Sequence, residues 1–570
     1  MRRTLSILGL LALLALAFAA RCWNLRDVFV EGRIYFIEAD AYSRMTRAQM
    51  VASGESVVIR HHAFENFPSG TTPHTTAPLD WLIMGGKWTM DLGFAVFDRG
   101  KTSVLRAQTL DLAGALVSPL LGVLTCAWLW WWSRRHAPRG LAWTVPLLFA
   151  LSPILVHGTL LGRPDHQSLL LLLLALALAA EVSLASGPSR AWSLLAGSTW
   201  ALALWVSLYE PLVLIAVVLV LWLIADRRRF TAREVRPGWI AFAAIVLTSL
   251  LLDGWRVALP DAAMRAAFAT WQQTIGELAH LDVLSSTPYR WLGAACVLAP
   301  MLLAFGAWRD RFKNPQAAIL CLLLVALALS IWQLRWGYFL ALIYAISLPW
   351  QLAVVRWRWL AGGVFAAGLW TVAQDWEATL YPDAATEDAR AVSLMEGVQL
   401  RELAAQMRSE EREGFLAPWW LSPAIAYWSG QPGVAGSSHE ALPGTFATAR
   451  FFLAPGPDKA ESIARGLGVR WVLTDGFDQD GTSRLVKAYA PLLDGQIPPE
   501  PWGPTMHDRG RPRESVSAGD LADASPELRA RLLALADRAE AQDIGSPAFT
   551  CVAQTQFYKL FRVKEPAPTP

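Results

Sequence analysis

The chain has 570 residues, 54% of them hydrophobic and 17% charged, whereas soluble proteins carry about 25% charged residues. With a mean hydropathy of +0.33, this excludes a disordered chain and an ordinary cytosolic enzyme. A net charge of +3 is too small for electrostatic nucleic-acid binding, and five cysteines without a C-x-x-C spacing make neither a disulfide framework nor a zinc knot.

Apolar runs of roughly 15–25 residues read as membrane spans. They fall near 4–20, 106–132, 141–161, 168–185, 192–208, 211–225, 238–252, 291–307, 317–332, 336–354 and 359–374. The first ends Ala17-Phe18-Ala19, as a cleavable signal would. A retained span is the favoured reading, because the residues after it look functional. Basic residues gather in alternate loops: Arg134, Arg135 and Arg139; Arg190; Arg227 to Arg229, Arg233 and Arg236; Arg309, Arg311 and Lys313; Arg356 and Arg358. The positive-inside rule puts those loops and the N-terminus in the cytoplasm. Segments 21–105, 162–167, 253–290 and 375–570 then share the outer side. Tryptophans at span ends, such as Trp128, Trp291, Trp332 and Trp336, read as an interfacial belt. The expected architecture is a polytopic α-helical membrane domain over 1–374, with about 11–13 spans, followed by a C-terminal mixed α/β extracytoplasmic domain over 375–570.

The informative residues are carboxylates on the outer side. Glu38-Ala39-Asp40 lies in the first outer loop, Asp165-His166-Gln167 follows the third span, and Glu277 lies in 253–290. Ionisable groups near bilayer depth are costly and mark function. Separated carboxylates facing one compartment suit a hard cation such as Mg²⁺ or Mn²⁺, which neutralises phosphate charge. Arg335, at the outer mouth of 336–354, reads equally well as a bidentate phosphate ligand or as a snorkelling belt residue.

These motifs resemble the catalytic subunit of oligosaccharyltransferases, membrane glycosyltransferases of the GT-C class. Glu38-Ala39-Asp40-Ala41-Tyr42-Ser43-Arg44 resembles the family's first-loop motif. Asn66-Phe67-Pro68-Ser69-Gly70-Thr71, with His74 and Pro78-Leu79-Asp80, resembles the segment after it. Gly162-Arg163-Pro164-Asp165-His166-Gln167 resembles the D-x-D-like motif, Thr274-Ile275-Gly276-Glu277 the T-I-x-E motif, and Gln333-Leu334-Arg335-Trp336-Gly337-Tyr338-Phe339 the late-span arginine segment. Trp419-Trp420 and Ala426-Tyr427-Trp428-Ser429-Gly430-Gln431-Pro432 resemble the acceptor-recognition segment.

The resemblance implies inverting, divalent-metal-dependent transfer of a glycan from a polyprenyl-(pyro)phosphate-linked donor to a protein acceptor. Asp40, Asp165 and Glu277 would be catalytic. Asp40 and Asp165, with His166 and Gln167, would hold Mn²⁺ or Mg²⁺. Arg335 would bind donor phosphate, and Trp419, Trp420, Ser422 and Glu277 would bind acceptor. Three departures stand out. The family's Trp-Trp-Asp-Tyr-Gly is here Trp419-Trp420-Leu421-Ser422-Pro423, so the acid that accepts the sequon hydroxyl is missing and the N-x-S/T rule is open. Gln167 stands where an acid or histidine is expected. The family has thirteen spans against about eleven here. Two other readings remain: a GT-C transferase using a monophosphate-linked sugar or a non-protein acceptor, and a non-catalytic lipid-glycan carrier or assembly subunit.

In the C-terminal part, a helix near 458–467 precedes a buried strand at 468–475. Residues 525–541 read as an amphipathic helix, and 552–563 as one closing strand. Asp475, Asp478 and Asp480 read as a solvated acidic turn, and Lys487 is a loose candidate for the acceptor.

Overall fold

The computed structural model describes residues 2–97, 106–138, 140–225, 228–255, 262–309, 316–476, 483–493, 501–502 and 548–564. It divides into two compact units. One comprises Met1–Ile34, Thr75–Trp255 and Gly276–Tyr381, the other Tyr35–His74, Arg256–Ile275 and Pro382–Pro570. Two described segments assigned to outer loops by the sequence, 35–74 and 262–275, thus fold with the C-terminal residues.

The first unit is helical. Among the described residues, three stretches are long and apolar enough to cross a membrane: Arg106–His136, His166–Ala185 and Arg236–Asp253; shorter apolar helices occupy Ser6–Arg21, Tyr209–Ile224 and Gln316–Trp332. Other apolar runs form unbroken helices of 16 or 17 residues, such as Arg190–Val206, Tyr209–Ala225 and Gly337–Leu352, and backbone breaks divide several more. Pro153, which cannot continue a hydrogen-bond ladder, separates Thr144–Leu151 from Pro153–His157. Gly293, at φ +85°, ends Thr287–Leu292. Residues 359–374 divide between Arg358–Gly368 and Trp370–Leu380. Arg190–Val206 packs closely on Arg236–Asp253. A Cβ on Gly197 would collide with the Gly238 carbonyl, so the glycine pair sets the approach.

An additional helix, Ala77–Phe97, lies where the sequence suggested only loop. Asp80, Lys87 and Asp91 interrupt its apolar pattern, and Lys87 pairs with Asp91 at 2.6 Å.

Arg21 ends the first helix fully buried. Its guanidinium donates to Thr159 Oγ1 at 2.7 Å and to the carbonyls of Ala17, Phe149 and Ala150. Its own carbonyl accepts from Leu161 N–H at 2.9 Å, and Asn24 Nδ2 donates to the Leu161 carbonyl at 3.0 Å. The first helix therefore anchors the turn leading into Gly162-Arg163-Pro164-Asp165. Arg21→Ala takes a donor from the Phe149 and Ala150 carbonyls and opens a cavity. We expect it to cost roughly 2–4 kcal/mol, read as a lower unfolding temperature of the purified protein in detergent.

The second unit carries a four-stranded sheet in the order Gly414–Leu416, Val469–Asp475, Tyr558–Val563, Phe549–Gln554. The first pair is parallel and the others antiparallel. Phe451, Phe452, Val472, Phe549 and Phe561 form its core. The helix Pro457–Gly466 precedes the strand ending at Asp475, as the alternation implied. The single closing strand expected at 552–563 is instead a hairpin. Tyr558 N–H donates to Thr555 Oγ1 at 3.1 Å within its turn, and that turn lacks the Gly, Pro or Asn that signals one. The helix expected at 525–541, with Asp478 and Asp480, lies outside the described residues.

Asp475 is not solvated as expected: it is 1% exposed. It accepts from Gly476 N–H at 2.8 Å and lies 3.5 Å from Arg484 Nη1, whose Nη2 binds Glu396 at 2.7 Å. Burial, only partly offset by Arg484, pushes its carboxyl up to about 7. A raised carboxyl stabilises the fold where it is protonated. That contribution is complete below about pH 4 and is lost as pH rises to about 7. Asp475→Asn, always neutral, should therefore gain stability over the wild type between pH 5 and pH 8, with a difference in unfolding temperature that widens as pH rises.

Candidate functional site

In the helical unit, Asp165 occupies the N-cap position of His166–Ala185. The preceding turn is held by Gly162 N–H to the Ala115 carbonyl at 3.0 Å and by a short bond from Ser118 to the Arg163 carbonyl. Gly162 has φ +75°, a conformation that favours glycine. Asp165 Oδ1 lies 2.6 Å from His166 Nδ1, and Oδ2 lies 3.8 Å from Arg163 Nη2. The Gln167 amide oxygen accepts from Arg163 Nη1 at 3.2 Å. Asp165, His166 and Gln167 are thus adjacent, but the Gln167 oxygen is already engaged.

Arg335 sits in the short turn Leu334–Trp336, between Gln316–Trp332 and Gly337–Leu352. It binds Glu210 Oε1 at 2.6 Å and Glu277 Oε1 at 3.6 Å, and its guanidinium lies 5.8 Å from the Tyr209 ring centre. Burial opposes its charge, but Glu210, Glu277 and Asp165 outweigh this and raise its pKa. Arg335 Nε is buried without a hydrogen-bond partner. Glu277 is positioned from below: Leu334 N–H donates to the Ala279 carbonyl at 2.8 Å, and Leu281 N–H to the Ile331 carbonyl at 3.2 Å. Asp165, Glu277 and Arg335 therefore meet in one electrostatic cluster.

Glu210, 1% exposed, is a member that sequence reasoning missed. Its Oε2 accepts from Ser207 Oγ at 2.6 Å. It is an acid at the start of an apolar run, the same signal that singled out Asp165.

Asp40 belongs to the other unit, in the first turn of Ala39–Ala52. That helix packs on Ser422–Ser429, with Tyr42 4.9 Å from Trp428 and 5.8 Å from Tyr427. Tyr42 Oη accepts from Phe36 N–H at 3.1 Å. Buried Glu65 accepts from Ser43 Oγ at 2.6 Å and from Ser438 Oγ at 2.7 Å. Burial pushes the Glu65 carboxyl up against those bonds, and Glu440 and Asp40 add to the rise. Glu65 thereby joins the helix of Asp40 to the loop 437–438.

Trp419 and Trp420 are half-buried. Trp419 N–H donates to Tyr489 Oη at 3.0 Å, and its ring meets Trp271 edge-on at 6.0 Å. Ser422 is 1% exposed, and its hydroxyl faces the carbonyls of Ala417 and Pro418 at 3.1 and 3.0 Å. Lys487 is exposed on the short helix Arg484–Tyr489.

No protein-family model matches the sequence, and no curated protein matches it. Solved structures of an Archaeoglobus fulgidus oligosaccharyltransferase share its fold. The one in complex with Zn and sulfate has a TM-score of 0.57 at 16% identity, covering 97% of this chain and 88% of that one. The one tethered to an acceptor peptide containing the NVT sequon has a TM-score of 0.58 at 15% identity, covering 82% and 68%. The one with an inhibitory peptide and a dolichol-phosphate has a TM-score of 0.56 at 16% identity, covering 83% and 70%. The chain thus shares the fold of this oligosaccharyltransferase, the family its motifs resemble.

Proposed function

We propose that the chain is a membrane glycosyltransferase that moves a glycan from a polyprenyl-(pyro)phosphate-linked donor to a protein acceptor on the extracytoplasmic face. The carrying observation is the cluster in which Arg335 binds Glu210 and Glu277 and feels the charge of Asp165, bringing three motif residues and Glu210 together in a fold shared with an oligosaccharyltransferase. Arg335 is the phosphate ligand: its free Nε offers a donor, and a guanidinium suits phosphate oxygens. Glu210 holds it in place.

Asp165 and Asp40 offer carboxylate oxygens, the donor type that suits Mg²⁺ or Mn²⁺. Asp40 is exposed in the first turn of its helix, and Asp165 keeps one oxygen 3.8 Å from Arg163. His166 stands beside Asp165 at 2.6 Å, and Gln167 would join that pair only on releasing Arg163. Such an ion supplies neutralisation of charge on the leaving phosphate. Glu277 accepts a hydrogen bond from the acceptor amide and orients its nitrogen for in-line displacement with inversion. Trp419 and Trp420 provide an apolar acceptor platform. Because the Leu421 side chain cannot accept a hydrogen bond and Ser422 is buried at 1% exposure, the acceptor rule does not rest on a sequon hydroxyl. This feature also favours the second reading, a non-protein acceptor.

The test combines purified protein, a polyprenyl-pyrophosphate glycan, Mn²⁺ and an acceptor-protein mixture, read by mass spectrometry. The expected result is a peptide heavier by the whole glycan. Transfer only to lipid or polysaccharide would replace this reading with the second, and donor binding without any transfer would leave a carrier.

A further inference from the structure

The unit that contains the sheet brings together three side chains that the transfer reaction does not use as a group. His74 lies at the end of segment 35–74, and His439 and Glu440 begin the turn His439–Ala441. His74 Nδ1 is 3.0 Å from both Glu440 carboxylate oxygens, and His439 Nε2 is 3.3 Å from Glu440 Oε1. The imidazole rings are 4.7 Å apart and tilted by 33°. One ligand atom from each residue lies within 4.8 Å of the other two. We propose that His74, His439 and Glu440 form a binding site for a borderline divalent cation of the Zn²⁺ class.

The donor set decides the class of ion. Two imidazoles and one carboxylate suit zinc-like ions rather than Mg²⁺ or Ca²⁺, which take oxygen ligands. Zinc bonds of about 2.0–2.2 Å place tetrahedral ligand atoms roughly 3.3 Å apart. The two contacts to Glu440 already have about that length. The His74–His439 edge closes by small side-chain rotations, which the exposure of both histidines permits. The chain prepares the site: His74 N–H donates to Glu440 Oε1 at 2.8 Å, fixing the carboxylate against the backbone of the first ligand. Phe268 meets the His439 ring edge-on at 6.3 Å, giving one side of the site an apolar wall. Glu440 supplies the one negative charge of the set. Three protein ligands leave the fourth tetrahedral position to water or an anion. An ion there would tie segment 35–74 to the turn at 439–441 within this unit, whatever glycan the protein transfers.

The test uses the full-length protein in detergent, stripped with chelator and titrated with Zn²⁺ and with Co²⁺ as a spectroscopic probe. To keep the oxygen-ligand site from contributing, it is carried out in the Asp40→Asn/Asp165→Asn background. One equivalent of metal should bind, with the visible absorption of four-coordinate Co²⁺. His439→Ala and Glu440→Gln should each weaken Zn²⁺ binding by at least about 100-fold, the upper end of the effect of losing a group one shell further out. His439→Cys should retain the ion and add a sulfur-to-cobalt charge-transfer band, which identifies position 439 as a ligand independently of stability. No stoichiometric binding, affinity unchanged by His439→Ala, or a bound His439→Cys protein without the new band would overturn the proposal.

Discussion

Asp165→Asn should lower glycan transfer by about 10³-fold while the protein remains folded. The isosteric amide fills the same space, and the turn is held by bonds that do not use the Asp165 side chain, so Ser118, Ser168 and Gly162 hold their places. What is lost is the carboxylate charge, and electrostatic groups at a reacting centre are each worth about 10²–10³ in rate. The same change also leaves Arg163, 4% exposed, without its acidic neighbour. Its remaining bonds to the Gln167 oxygen and the His157 carbonyl limit the structural effect. Transfer assayed beside the unfolding temperature separates the two consequences. Wild-type turnover in Asp165→Asn would remove the site from the mechanism.

Arg335→Ala should damage both activity and stability. Glu210 is 1% exposed and loses its 2.6 Å partner. Removing one member of a buried ion pair costs roughly 3–5 kcal/mol. Glu277 is far more open, so its 3.6 Å contact adds little. Transfer should fall by about 10²–10³-fold, because phosphate loses its bidentate donor. The double variant Arg335→Ala/Glu210→Gln should recover most of the stability, since the neutral amide has no buried charge to leave unpaired, yet remain as inactive as the single variant. Recovery of both would make the pair structural, and Arg335→Lys with full activity would argue against bidentate phosphate binding.

The legible parts of the site are those with local signatures. Asp165 stands out as an acid at the border of an apolar run, and Arg335 as an arginine at the border of another. Glu210 obeys the same rule, but it lies between the adjoining apolar runs 192–208 and 211–225, where it is easily read as the margin of a span. Ala77–Phe97 escaped because Asp80, Lys87 and Asp91 break the hydropathy window. The broken helices near Pro153 and Gly293 read as continuous because composition records apolarity, not backbone direction.

The tie between 35–74 and the C-terminal residues has no local sign. It consists of bonds between distant segments: Phe67 N–H to the Gly433 carbonyl, Gly433 N–H to the Phe64 carbonyl, and Gly444 N–H to Asn66 Oδ1. Gly414 admits the Phe67 ring where a Cβ would collide with it. Neither Glu65 nor the His74–Glu440 contact has a spacing that announces it. By contrast, the strand at Val469–Asp475 was legible from alternation, but the burial of Asp475 was not, because it depends on Arg484 and Glu396 arriving from elsewhere in the chain.

The central claim is that the turn carrying Asp165 and His166, 2.6 Å apart at their facing atoms, holds the ion on which transfer depends. Mn²⁺ affinity measured by electron paramagnetic resonance on the wild type, Asp165→Asn, His166→Ala and the double variant tests it directly. Shared coordination predicts that each single change weakens the ion by at least about tenfold and that the double change adds little beyond either, because neighbours on one centre are not additive. Mn²⁺ held by both single variants as tightly as by the wild type would contradict it.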